Sequence, residues 1–197
     1  IRHYLQVSGG ENRLRARVQA ARLMYLHGRG AEAGELLEQL REQHPDQAPS
    51  LYASQAEMLR RADRTSEAMT LLNNAIGQLT NERELLYARA MISEKLGRTG
   101  QAEADLRRVL EIKPGDAVAL NALGYTLADH NQRLTEARGY IERALEKQPE
   151  NPAFLDSMGW VLYRQGKPEK ALDWLRRAWE KMKDPEVAAH YGEVLWQ

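Results

Sequence analysis

Ala33, Ala68, Ala102, Ala137 and Ala171 recur at a nearly constant interval of one repeat, and this period constrains the fold more than any other feature of the chain. Twelve or thirteen positions ahead of each stands a second small residue, in the order Ala21, Ala56, Ala90, Gly124 and Gly159, and Gly192 continues that series. Four positions behind each alanine comes Leu37, Leu72, Leu106, Ile141 or Leu175, and seven behind comes Leu40, Ala75, Val109, Ala144 or Ala178. Twelve behind is proline in three of the five cases, Pro45, Pro114 and Pro149. A fixed period of this length marks a stack of like units, each too small to bury its own apolar face and therefore packed on its neighbours.

The spacing predicts two antiparallel helices per unit. Leu155, Met158 and Leu162 lie at i, i+3 and i+7, the stripe of an amphipathic helix. Gly166 breaks the stripe and turns the chain. Two helices approach closely only where a small residue separates their backbones, so Gly159 and Ala171 are expected to meet within a unit. Ala178 is expected to let the second helix meet the first helix of the next unit. The prolines end second helices, since proline has no N–H to donate.

The pattern resembles the tetratricopeptide repeat (TPR) family, best in LNALGYTLADHNQRLTEARGYIERALEKQP and LDSMGWVLYRQGKPEKALDWLRRAWEK. The resemblance implies an all-α TPR solenoid, a right-handed superhelix of antiparallel helix pairs. Five repeats span about 14–48, 49–82, 83–116, 117–151 and 152–184, and a closing helix without a partner spans 185–197. Residues 1–13 read as the end of a preceding helix, Ile1–Val7, and a loop at Ser8–Asn12. The first three repeats are degenerate, with Arg17, Gln55 and Arg89 at positions that are usually apolar. The one-residue excess of the fourth repeat falls in the polar turn Asp129–Leu134, where insertion costs little. With no initiator Met, no signal peptide and Leu195 and Trp196 at an open end, the sequence reads as a piece of a longer superhelix.

Lys and Arg balance Asp and Glu at 28 each, which leaves no electrostatic footprint for nucleic acid or an anionic membrane surface. Nor is there an apolar run suited to direct membrane insertion. The absence of cysteine excludes disulfides and Cys-ligated zinc without choosing a compartment. His3, His27, His44, His130 and His190 lie in different repeats or turns without a metal-binding spacing, and read as surface residues. No Gly-x-Ser-x-Gly elbow is present, and Gly28–Gly30 falls in a helix–helix turn, not after a strand. No catalytic residue, metal site or cofactor is therefore expected. Arg107–Arg108 and Arg176–Arg177 read as solvated faces of second helices.

Binding is the activity a stack of first helices supports, because their exposed face forms a groove. The groove positions of the TPR family map to Tyr87, Met91 and Glu94 in the third repeat. They map to Val118, Asn121, Tyr125 and Asp129 in the fourth, and to Ala153, Asp156, Trp160, Tyr163 and Arg164 in the fifth. Glu193 and Trp196 fall on the closing helix, Arg22, Tyr25 and Leu26 on the first repeat, and Glu57, Arg60 and Arg61 on the second. From these the candidate protein- or peptide-binding residues are Tyr87, Met91, Asn121, Tyr125, Asp156, Trp160, Tyr163, Arg164 and Trp196. Tyr and Trp offer large contact area with few rotors and a polar handle. Tyr125, Trp160 and Trp196 follow the repeat spacing, so an aromatic row along the groove is expected; the alternative is that some of them fill gaps between adjacent first helices. Gln19, Ser54, Ala88, Ala122 and Ser157 stand where the two-carboxylate clamp of chaperone-binding TPRs needs Asn and Lys, which disfavours that mode.

From Leu120 onward the chain looks more specifically like the C-terminal repeats of bacterial outer-membrane TPR lipoproteins of the LbcA type, adaptors of a carboxyl-terminal processing protease. That resemblance implies a periplasmic location, an anchor outside these residues, and as partners a processing serine protease and its cell-wall hydrolase substrates. A structural scaffold for secretin, pilus or outer-membrane protein assembly, the TPR part of a larger enzyme, and a cytoplasmic location remain open alternatives.

Overall fold

The structure, a computed structural model, describes residues 10–79 and 82–196. Among these residues it is all helical, with eleven α-helices and no strand. The helices are α1 (Gly10–Leu26), α2 (Gly30–Gln43), α3 (Ala48–Arg61), α4 (Thr65–Ile76), α5 (Arg83–Lys95) and α6 (Thr99–Ile112). They continue with α7 (Ala117–Asp129), α8 (Leu134–Lys147), α9 (Pro152–Arg164), α10 (Pro168–Lys181) and α11 (Pro185–Leu195). Odd-numbered helices are the first helices of the repeats and even-numbered ones the second. Because α1 starts at Gly10, the part of the expected loop from Gly10 to Asn12 is its first turn instead. The expected preceding helix, Ile1–Val7, lies outside the described residues.

Each repeat turns in the same way. The turn between its two helices places a residue of positive φ at Gly28 (74°), Asp63 (59°), Gly97 (69°), Asn131 (53°) and Gly166 (73°) in turn. This left-handed conformation costs glycine nothing and is tolerated by Asn and Asp. The extra residue of the fourth repeat is absorbed beside it, with Arg133 also left-handed at φ 42°. At the other ends, α2, α6 and α8 stop two residues before Pro45, Pro114 and Pro149, since the residue before a proline is pushed out of the helical region. New first helices are capped by side chains: Asp116 accepts from Ala119 N at 3.2 Å, Asn151 from Ala153 N at 3.1 Å and Asp184 from Glu186 N at 2.9 Å.

Contacts group the chain into two compact units, Ile1–Lys95 and Leu96–Gln197. In the first, α1 pairs with α2 and α3 with α4, and α5 packs on the second pair. Its core holds Ala21, Leu37, Leu40, Ala56, Ala68, Leu72 and Leu85, all fully buried. The degenerate positions are closed by polar contacts: Arg41 donates to Gln55 Oε1 at 2.7 Å, and Gln55 donates to the Tyr25 hydroxyl at 3.2 Å. Arg17 is likewise tied down, to Gln43 Oε1 at 3.0 Å.

In the second unit α7 pairs with α8 and α9 with α10, while α6 packs on α7 and α11 lies against both α9 and α10. The expected close approach of Gly159 to Ala171 is present. A Cβ on Gly159 would stand 2.5 Å from Leu175 Cγ and 3.1 Å from the Ala171 carbonyl oxygen. One on Gly124 would stand 2.6 Å from Ile141 Cγ1 and 2.7 Å from the Ala137 carbonyl oxygen. Gly192 continues the spacing but not the contact, for a Cβ there would meet nothing within 4 Å. Leu195 and Trp196 beside it are 59% and 92% exposed. Among the described residues no helix is long and apolar enough to cross a membrane.

Candidate protein-binding face

The first helices of the second unit carry their polar residues at helical spacing: Asn121, Tyr125 and Asp129 on α7, Asp156, Trp160 and Arg164 on α9, Glu186, His190 and Glu193 on α11. Steps of three and four keep each set on one helix face. Since α9 lies between α7 and α11, the three faces meet.

They meet through aromatic groups. Trp160 Nε1 on α9 donates to Asp129 Oδ1 on α7 at 3.1 Å. The indole stacks on the His190 ring of α11, with centroids 4.2 Å apart and planes at 19°. His190 Nδ1 lies 2.9 Å from Asp156 Oδ2, back on α9. Tyr125, with its ring centroid 6.0 Å from that of His190, reaches past α9 and donates its hydroxyl to Glu186 Oε1 on α11 at 2.8 Å. Tyr163 packs 5.4 Å from Trp160 and donates to Glu193 Oε1 at 3.2 Å. The Arg164 guanidinium sits 5.6 Å over the Trp160 ring. Two oxygens in this region, Asn121 Oδ1 and Asp156 Oδ1, are shut from solvent and accept no hydrogen bond from the protein.

The electrostatics follow from these contacts. Burial raises the Tyr125 pKa above its ordinary value, and the Glu186 carboxylate, which accepts the phenolic proton, raises it further. For His190 burial is the largest influence and opposes protonation. The Asp156 hydrogen bond, with the charges of Asp156, Glu186 and Asp129, outweighs it and leaves the pKa raised. The histidine is thus biased toward imidazolium.

Several expected site residues stand elsewhere than the sequence suggested. Trp160 is only 5% exposed, so it fills the gap between first helices and does not present an open ring. The expected aromatic row is corrected with it: His190, not Trp196, stacks on Trp160, and Trp196 projects from the end of α11. Asp156 is buried under His190, whereas Asn121, Tyr125, Tyr163 and Arg164 are half-exposed. Tyr87 and Met91 are half-buried on α5 of the first unit. Glu57, Arg60 and Arg61 form an ion-paired cluster along α3. The Arg60 hydrogen bond, aided by Arg61 and opposed by burial, holds the Glu57 carboxyl down to about 2. His190, expected at the surface, is 7% exposed and the hub of the network. Its signal was its spacing: Asn121, Asp156 and His190 follow one another at the repeat interval, which places them side by side on successive first helices.

Arg107 lies on the second-helix face expected of it, but as an ion-paired group. It is no free solvated charge: it donates to Glu136 at 2.6 Å, to Glu103 at 2.8 Å and to the Tyr140 hydroxyl at 3.0 Å, tying α6 to α8.

Residues 17–197 match the tetratricopeptide-repeat family. The chain belongs to the TPR family. It is 44% identical over 190 residues to the TPR repeat-containing protein PA4667 of Pseudomonas aeruginosa, an alignment covering 96% of this chain and 32% of that protein. The chain therefore spans about a third of the length of this TPR relative. Its fold is similar to a TPR protein of Parabacteroides merdae (TM-score 0.71, 16% identity, 93% of this chain and 72% of that one). It is equally similar to TTC0263 of Thermus thermophilus (TM-score 0.71, 17% identity, 93% and 100%). YrrB, described as a TPR protein with an unusual peptide-binding site, superposes with a TM-score of 0.63 at 21% identity, over 90% of this chain and 91% of that one. Like other TPR chains it is a helical scaffold for protein–protein contact.

Proposed function

We propose that this chain is a non-catalytic TPR scaffold that binds a segment of a partner protein on the face built by α7, α9 and α11. The observation that carries this reading is the network joining Tyr125, Trp160 and His190 to carboxylates on three successive first helices. Such a face is ordered before a ligand arrives, so little side-chain entropy remains to be lost on binding. The peptide-binding site reported for YrrB supports a peptide-sized ligand on a fold of this type.

The finer reading is a periplasmic adaptor held at the outer membrane by a part of the protein outside these residues. There it would bind a carboxyl-terminal processing serine protease, present its cell-wall hydrolase substrates, or both. Its support is the likeness of the chain from Leu120 onward to the LbcA-type lipoproteins.

The test is capture from bacterial envelope extract on the immobilised chain, compared with the Tyr125→Ala variant. Recovery of a processing serine protease and hydrolases that depends on Tyr125 is the expected outcome. Recovery of secretin or pilus components in their place would turn the reading to envelope assembly. Equal recovery by both chains would remove the binding role from this face.

A further inference from the structure

Most carboxylates on the second helices and turns of the second unit have cationic partners. Glu103 and Glu136 are held by Arg107 and Arg133, Glu142 by Arg138, and Glu150 by Arg177 and Lys181. The first-helix face is built differently. Asp129, Asp156, Glu186 and Glu193 accept hydrogen bonds from an indole, an imidazole and two phenols. Among the described residues none of the four forms an ion pair with Lys or Arg, and Arg164 lies over the Trp160 ring and not against a carboxylate. Four carboxylates thus gather on this face without a Lys or Arg ion pair, on a chain whose overall charge is balanced. A second observation is independent of that charge excess. Asp156 is 5% exposed, and its second oxygen, Oδ1, accepts no hydrogen bond although it is sealed from solvent. A buried carboxylate oxygen without a donor is costly, and a donor arriving with a ligand relieves that cost.

Resting on the reading of this face as a protein-binding surface, we propose that its occupant is an extended peptide segment bearing lysine or arginine. Half-exposed Tyr125 and Tyr163 flank the carboxylates and offer ring faces to the stem and head of a basic side chain. Their hydroxyls hold Glu186 and Glu193 in position, so the anionic groups are fixed while their remaining lone pairs stay available. Because Glu186 and Glu193 are exposed, their attraction to the peptide weakens with salt.

Panning a random dodecapeptide display library on the whole chain tests this, followed by titration of the most enriched peptide. The expected result is enrichment of Lys and Arg, with affinity falling roughly tenfold or more both on lysine acetylation and in the Glu186→Gln/Glu193→Gln chain. That variant keeps its helical circular dichroism, because both side chains are exposed and glutamine still accepts from the tyrosines. Enrichment of peptides without basic residues, lost in Tyr125→Ala, would overturn the basic occupant while leaving the scaffold reading in place. Basic peptides indifferent to the two glutamines would also overturn it, since they would bind elsewhere. No enrichment at all would count against the scaffold reading itself.

Discussion

His190 Nδ1 and Asp156 Oδ2 lie 2.9 Å apart at the junction of the last two first helices, with the indole of Trp160 stacked on the imidazole. This pair is expected to make the attachment of α11 dependent on pH. The folded pKa of His190 is raised above its unfolded value by Asp156, Glu186 and Asp129, against burial. Its contribution is therefore complete below the unfolded value of about 6.5 and is lost as pH rises through the folded one. The melting temperature is expected to fall as pH rises from about 6 through the raised value. A His190→Gln chain whose melting temperature declined just as steeply over that window would show that the dependence comes from another group.

Trp160 cannot serve as a clean probe of binding. Truncating a buried Trp costs about 3–5 kcal/mol, enough to unfold its part of the stack. Trp160→Ala is expected to lower the melting temperature and strip helical signal near α11. Tyr125→Phe, which loses one half-exposed hydroxyl bond to Glu186, should cost about 1 kcal/mol or less and keep the helical signal. Matching circular-dichroism melts of Trp160→Ala and the parent would contradict the packing described for this ring.

Gly159 and Gly192 share a repeat position and differ in surroundings. Gly159→Ala places its Cβ 2.5 Å from Leu175 and is expected to destabilise the second unit by about 1–3 kcal/mol in urea unfolding. Gly192→Ala meets nothing within 4 Å and gains helix propensity, so it should be neutral or stabilising by up to about 1 kcal/mol. Equal destabilisation by both would mean that the face of α11 around Gly192 is covered in solution.

Arg107 joins α6 to α8, and its removal should be felt although it lies at the surface. Arg107→Met leaves Glu103 and Glu136 without this cation. The loss is expected to be about 1 kcal/mol, at the upper end for exposed pairs because one guanidinium serves two carboxylates. The Arg107 hydrogen bond lowers the Glu136 pKa, and Arg107 with Arg133 lowers that of Glu103 against burial, its largest influence. The stabilisation is therefore present above about pH 4.5 and disappears as pH falls through the lowered values. Urea melts of parent and variant should converge at acid pH and in high salt. A difference that persisted under both conditions would indicate lost packing and not lost charge.

The order of helices, their turns and the closest backbone approaches were legible along the chain, because each depends on residues a few positions or one period apart. Gly124 with Ala137 and Gly159 with Ala171 show it, whereas Gly192 shares the spacing and lacks the contact. The first-helix face was legible as a set of positions but not as a surface. Which of its side chains stay open depends on how much room neighbouring helices leave, and that is settled by packing two and three helices together. Asp156 and Trp160 therefore sank beneath His190, a residue that looked like a surface histidine. Tyr125 found Glu186 far along the chain, across an intervening helix. Periodicity determines which residues stand in line, since it is a property of the chain. Burial, partners and protonation are decided only in the tertiary structure, where side chains from different repeats compete for the same space and the same protons.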